Sequence, residues 1–271
     1  MLEKMIERDL FPINYSCHFS EFREGEQFVQ GHGFGMIISG MMELNDGQKK
    51  AQFKKGELYS ARKNHLLKFI KYPPEHGEFK SLSIYFGDKM LRDFSLEYGY
   101  KAEENIHPAA FIRLPKEASI IGFMNSLMAY ESLLNDANAI ELLKLKQKEA
   151  LLILLGYDPS LKNVLFDFSE PYKIDLGAFM EKNFHFNVSL ERFSYLTGRS
   201  LSTFKRDFEK IFQLTPSRWL LQRRLKEAYY LIKEKKRMPS DVYLELGFED
   251  LSHFSFTFKK QFGKAPSAFL V

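Results

Sequence analysis

The chain has 271 residues, 45% hydrophobic and 27% charged, the composition of a globular protein with room for two domains that each bury a core. One cysteine, Cys17, excludes an intrachain disulfide and reads as a buried or idle thiol, and residues 1–30 hold no signal-type apolar core or membrane span, so a cytoplasmic protein is expected. The net charge of +4 is unevenly spread: residues 173–271 carry 18 Lys+Arg against 11 Asp+Glu and residues 1–172 carry 21 against 24, which fits a polyanion partner at the C-terminal end.

From Tyr15 to about Gly87 short β-rich runs alternate with turn residues. Asn45-Asp46-Gly47 marks a hairpin, because Asp-Gly supplies the positive φ angles of a tight turn. Many short strands at this spacing predict an antiparallel barrel or sandwich. A barrel of about eight strands can enclose a small molecule. Ser39, Glu43, Tyr59 and Tyr85 are the candidate polar groups of such a pocket.

Beyond Asp88 the pattern turns helical. Residues 115–136 open with Pro115 and place Ile120, Phe123, Met124, Leu127, Met128, Leu133 and Leu134 at helical spacing. A second helix, about Ala139 to Leu155, carries Ile140, Leu143, Leu151 and Leu154 on one flank and Leu142, Leu145 and Leu152 on another. One flank covers the strands, and the other is available for that or for a second subunit, so a homodimer is expected. Residues 157–172, with two prolines, read as a linker between a domain at 1–156 and another at 173–271, with the cut near Pro171 and the run 161–168 docking on either domain.

The last third is helical throughout. Ile174, Leu176, Phe179 and Met180 form the face of a first helix, and Ser189 to Gly198 reads as a capped short helix stopped by glycine. Ser200 caps a helix with a stripe of Phe204, Phe208, Ile211 and Phe212, and Thr215-Pro216 opens a long helix to about Lys235. The unit is then used again. Residues 246–270 match residues 196–220 at ten of twenty-five positions without a gap, the pairs including Phe204/Phe254, Phe208/Phe258, Phe212/Phe262 and Pro216/Pro266.

Helix, glycine turn, helix is the skeleton of a helix-turn-helix, whose second helix enters the major groove. A connecting helix of about twenty residues spans about 30 Å, close to the roughly 34 Å between successive major grooves. With the phenylalanine stripe buried, Ser202, Arg206, Glu209 and Lys210 of the first copy point outward, with Thr203 and Lys205 at the flanks; Ser202, Thr203, Lys205 and Arg206 lie early in the helix, where base edges are read, and Arg206 can grip guanine bidentately. Arg199, Ser200 and Lys210 are the phosphate candidates there. In the second copy Ser252, His253, Ser255 and Phe256 face the bases, and Lys259 and Lys260 face phosphate. Phe256 stands in the slot of Arg206 and can press only on a thymine methyl or a neighbouring helix.

Gly247-Phe248, the run Ser252 to Lys259 and Gly263 to Phe269 resemble the signature of the AraC/XylS family of bacterial transcription regulators. The resemblance covers about 99 residues. It implies a C-terminal all-α domain with two helix-turn-helix units, joined in a two-domain α+β protein to a cupin-like antiparallel β-barrel with helices. Phe256 departs from the pattern, where the family commonly has a polar or basic residue, and so does Leu270, where a basic residue is frequent. Metal-binding cupins use a His-x-His pair; Gly31-His32-Gly33 offers one histidine, read as a turn residue, while His18, His65, His76 and His107 lie far apart in sequence.

The expectation is therefore a sequence-specific DNA-binding regulator without catalytic residues, metal or cofactor. By resemblance it is an activator that contacts RNA polymerase, controlled by a small molecule or protein partner. The alternatives are a cupin-type metal enzyme with an attached DNA-binding domain and a nonspecific architectural DNA binder.

Overall fold

The computed structural model describes residues 12–23, 27–104, 109–134 and 136–270; His107 and Val271 lie outside them. The described chain divides into two compact units. Residues 12–23 and 29–169 form the first, and residues 27–28 and 170–270 the second.

The first unit is built on β1 Ile13–His18, β2 Phe22–Arg23, β3 Phe28–Val29, of which Val29 belongs to this unit, β4 His32–Ser39, β5 Met41–Asn45, β6 Lys50–Lys54, β7 Leu58–Ala61, β8 His65–Leu66, β9 Lys68–Tyr72, β10 Phe79–Phe86 and β11 Phe111–Leu114. Hydrogen bonding orders nine of them as a five-stranded sheet, β1-β10-β4-β7-β11, and a four-stranded sheet, β2-β9-β5-β6, with antiparallel pairing in both, and joins β3 and β8 as a two-stranded sheet. The expected barrel thus takes the form of two sheets sharing an interior of Ile37, Met42, Leu44, Phe53, Phe79 and Phe111. The predicted hairpin joins β5 to β6, with Asn45 opposite Lys50 and a four-residue loop in place of a tight turn. Asp46 Oδ1 accepts from the amides of Gln48 and Lys49, and only Gly47 of the tripeptide takes a positive φ.

Because side chains alternate across a strand, the five-stranded sheet has a second apolar face. His32, Phe34 and Met36 of β4, Leu58 of β7, Leu82, Ile84 and Phe86 of β10 and Leu114 of β11 point away from the shared interior. Among the described residues three helices cover that face: α1 Asp88–Tyr98 through Leu91 and Phe94, α2 Ala118–Leu127 through Ile120, Phe123, Met124 and Leu127, and α3 Ile140–Tyr157 through Leu143, Leu151, Leu154 and Leu155. The helix predicted over 115–136 is shorter than expected, since Met128–Leu133 winds as a 3-10 helix. The stretch read as a linker is mostly structured: Pro159–Leu161 is a 3-10 turn, α4 spans Lys162–Leu165, and Leu165 and Phe166 are buried in the core of the first unit. Two bulky apolar side chains hold this run down, so the chain divides at Ser169/Glu170.

The second unit comprises α5 Leu176–Asn183, α6 Leu190–Leu196, α7 Leu201–Phe212, α8 Pro216–Lys233, α9 Pro239–Glu245, α10 Leu251–Phe262 and a closing 3-10 turn, Pro266–Phe269. Cap chemistry sets the limits of the repeated helices. Ser200 Oγ accepts from the Thr203 amide and Asp250 Oδ1 from the His253 amide, each satisfying an orphan donor of the first turn. Ser189 occupies the corresponding position of α6, but its hydroxyl makes no capping bond among the described residues. The α8 helix serves both copies. Trp219 packs on Phe208 and Phe212, and ten residues on Tyr229 packs on Phe258, Phe262 and Phe269.

Candidate nucleic-acid interface

The two helix-turn-helix units are α6–α7 and α9–α10. Each turn ends its first helix on a glycine in the left-handed region, Gly198 at φ 63° and Gly247 at φ 81°. Neither position has room for a side chain: a Cβ at Gly198 would sit 2.3 Å from the Tyr172 carbonyl carbon and one at Gly247 2.9 Å from the His185 carbonyl oxygen. The turns differ in length. Two residues separate Gly198 from α7 and three separate Gly247 from α10. The backbone agrees, since the amide of Arg199 bonds Ser194 O in the first turn and that of Phe248 bonds Tyr243 O in the second. The repeat that is ungapped in sequence therefore carries one extra residue in its second turn, and Leu196 and Leu246, identical in the alignment, are not structural equivalents.

On α7 Phe204 and Phe208 are completely buried and Phe212 is half-buried, but Ile211 is 52% exposed, so the stripe is narrower than expected. Ser202, Lys205, Arg206 and Lys210 are exposed, and Thr203 is half-buried. The first turn is a cluster of hydroxyls: Ser200 Oγ donates to Thr203 Oγ1 at 3.0 Å and lies 3.2 Å from Ser202 Oγ. Arg206 reaches Asp207 only at 3.5 Å and keeps 65% of its side chain exposed, so it is available to a ligand. On α10 Ser252, His253, Lys259 and Lys260 are exposed, Ser255 is half-buried and Phe256 is 67% exposed. With two thirds of its surface in water, the Phe256 ring is not tucked against a neighbouring helix.

One phosphate candidate is corrected. The Arg199 side chain is 7% exposed and turned inward, its Nη1 donating to Thr197 O at 2.7 Å and Ile174 O at 3.0 Å and its Nε to Asp207 Oδ2 at 3.2 Å. The same guanidinium, helped by Lys173, holds the Asp207 carboxyl below the usual range. A second arginine plays the matching role for the other copy. Arg224 of α8 donates Nε to Phe184 O at 2.7 Å, Nη2 to Phe186 O at 2.8 Å and Nη1 to Gly247 O at 3.0 Å. Burial pushes its pKa down to about 10, still cationic at neutral pH.

The ligand-pocket candidates do not converge. Tyr59 is buried in the interior between the sheets beside Phe53, and the buried carboxylate of Glu43 is paired with Lys50 at 2.8 Å. Ser39 and Tyr85 are half-buried at other points of β4 and β10. A narrow pocket of about 40 Å³ opens instead on the helix-facing side of the five-stranded sheet, lined by His32, Phe34, Ser60, Arg62, Phe86 and Leu154 among others. His32, expected in a turn, is the first residue of β4. It is 2% exposed, and its Nε2 has no hydrogen-bond partner among the described residues. Burial, reinforced by Lys63 and Arg62, lowers its pKa to about 3. No group of three or more His, Cys, Asp or Glu side chains suited to a metal ion occurs among the described residues. Cys17 is exposed, its thiol donating to Glu78.

Residues 32–168 match the family described as the ExsA N-terminal regulatory domain, and residues 195–270 match a helix-turn-helix domain family. The chain is 25% identical over 262 residues to the HTH-type transcriptional regulator ExsA of Pseudomonas aeruginosa, covering 93% of this chain and 90% of that one. Over 92 residues, 34% of each chain, it is 33% identical to the thermoregulatory protein LcrF of Yersinia pestis. Among solved structures, an apo ToxT variant from Vibrio cholerae aligns over 96% of this chain and 97% of its own at 11% identity, with a TM-score of 0.45.

Proposed function

The chain belongs to the AraC/XylS family of DNA-binding transcription regulators and carries an ExsA-type N-terminal regulatory domain, and from that membership we propose that it activates transcription by reading DNA mainly with α7. The observation that carries this reading is the asymmetry of the two copies, Arg206 standing exposed on α7 where α10 presents Phe256. A guanidinium can bond guanine O6 and N7 together, which a phenyl ring cannot. Ser202, Thr203 and Lys205 support the same contact surface. Ser252, His253 and Ser255 are secondary readers, with Phe256 against a thymine methyl. Lys210, Lys259 and Lys260 take phosphates, and Ser200 keeps its hydroxyl for the helix cap.

Activation is supported by the relative named as a virulence regulon transcriptional activator, VirF of Yersinia enterocolitica, 33% identical over 92 residues. RNA polymerase is the proposed protein partner, the cytoplasm the proposed place of action, and a homodimer the proposed working form, with no enzymatic activity of its own. No helix among the described residues is long and apolar enough to cross a membrane.

Selection of bound duplexes from a random pool tests the reading. Wild-type protein is expected to return a defined motif, and Arg206→Ala to relax at least one guanine position at a cost of about 1–3 kcal/mol. Phe256→Ala should leave that motif nearly intact. The reverse order of effects would move the reading to α10. A pool with no enrichment would favour the nonspecific binder, whose affinity rests on phosphate contacts.

A further inference from the structure

By itself α7 offers DNA two unequal flanks. Successive residues turn about 100° around a helix, so Lys205 and Asp207 stand on opposite sides of Arg206. A helix with its side chains is about 10–12 Å across and the major groove about 12 Å wide, so the flanks of a reading helix meet the two phosphate strands. Lys205 suits one strand, whereas the carboxylate of Asp207 would repel the other.

The fold answers that acid with a lysine from outside both helix-turn-helix units. Lys173 belongs to the segment that leads into α5. Its Nζ stands 3.8 Å from Asp207 Oδ2, and Arg206 Nη2 stands 3.5 Å from Oδ1 of the same carboxylate. From the interior the buried Arg199 donates Nε to Oδ2 at 3.2 Å, so the carboxylate keeps a cationic partner if Lys173 turns away. The backbone that carries Lys173 is fixed on two sides. The Ile174 carbonyl accepts from Arg199 Nη1 at 3.0 Å, and the Tyr172–Lys173 peptide runs against Gly198, where a Cβ would sit 2.5 Å from the Lys173 amide nitrogen. The side chain is freer than its backbone. Its ion pair is longer than a hydrogen bond, and with 66% of the side chain exposed the ammonium can exchange Asp207 for another anion at small cost.

We propose that Lys173 contacts a DNA phosphate on the Asp207 flank of α7, so that two lysines straddle Arg206, one from the helix and one from the segment before α5. This rests on the reading of α7 as the helix that enters the major groove. It turns the flank that α7 leaves anionic into a cationic one, and it fixes the segment through which the chain passes from the first unit to the second.

Binding of the full-length protein to a duplex bearing the selected motif, measured over a range of KCl concentrations, tests the contact. Each phosphate neutralised contributes about 0.9 to the slope of log K against log salt. Lys173→Gln is expected to lower the slope by about 0.9 and to weaken the motif and an unrelated duplex by the same factor, with the guanine preference of Arg206 unchanged. Lys173→Arg should keep the wild-type slope, and so should Lys89→Gln, which removes an exposed lysine of the first unit. Neutral methylphosphonates placed one at a time locate the contact. One position bordering the guanine read by Arg206 should weaken wild type severalfold and leave Lys173→Gln indifferent. Urea midpoints followed by Trp219 fluorescence should coincide for wild type and Lys173→Gln, which separates a lost contact from a damaged fold. An unchanged slope in Lys173→Gln, or a methylphosphonate profile the same as wild type, would overturn the contact and leave Arg206 as the base reader. A wild-type protein without guanine preference would instead overturn the reading by α7.

Discussion

A neutral imidazole can be buried at pH 7 at modest cost, but its protonated form cannot. The His32 pKa falls from 6.5 to about 3 on folding. The unfolded chain therefore binds the extra proton first as pH drops, and the stability that is fully present above about pH 6.5 is lost progressively toward pH 3. Between pH 7 and pH 5 this one residue should remove about 2 kcal/mol. Urea unfolding of the first unit at the two pH values checks the figure: His32→Gln should lose less stability than wild type by about that amount, and parallel losses would refute it. The pocket around His32 escaped the sequence because β4, HGFGMIIS, places glycine at alternate positions, so its period of two is not one of polar against apolar. Tyr59, Tyr85, Ser39 and Glu43 were legible as polar residues in strands, but which face of a strand looks inward depends on pairing register.

At the scale of elements, the second unit is held by two arginines that fasten helix ends and turns. Arg224 satisfies carbonyls at Phe184, Phe186 and Gly247, tying the end of α5 to the second turn through α8. Replacing it with Met leaves those carbonyls facing an apolar side chain and should cost about 3 kcal/mol or more. Lysine should recover only a small part, because an ammonium lacks the fork that reaches all three. Trp219, the chain's one tryptophan, lies on α8 and reports the unfolding of this unit by fluorescence; a loss under 1 kcal/mol in Arg224→Met would show the bonds to be replaceable by water. The helices themselves were legible to within a residue or two, since Ser200, Asp250, Pro216 and the phenylalanine stripes act locally. The arginine roles were not, because their partners are backbone carbonyls up to 40 residues away. The extra residue in the second turn was hidden by the chance identity of Leu196 and Leu246.

At the scale of the whole molecule, the α3 helix has more apolar surface than its own fold covers. Leu143, Leu151 and Leu154 are buried, while Leu145 is 64% exposed and Leu152 41%. If the proposed homodimer uses this flank, the double variant Leu145→Glu, Leu152→Glu should sediment as a monomer at concentrations where wild type is a dimer. Its stability should stay within about 0.5 kcal/mol per site, as expected for exposed positions. A variant that remains dimeric places the contact elsewhere.

The shared α8 helix, 18 residues from Pro216 to Lys233, carries the packing partners of both reading helices within one continuous hydrogen-bonded rod about 27 Å long. Such a rod has no joint with which to follow a change in the DNA. Adding one base pair between the segments touched by α7 and α10 turns the second segment by about 34–36° around the duplex axis, and the protein cannot turn with it. If α7 and α10 both enter the DNA as proposed, an operator for one chain is therefore indivisible, a block whose internal length is dictated by α8.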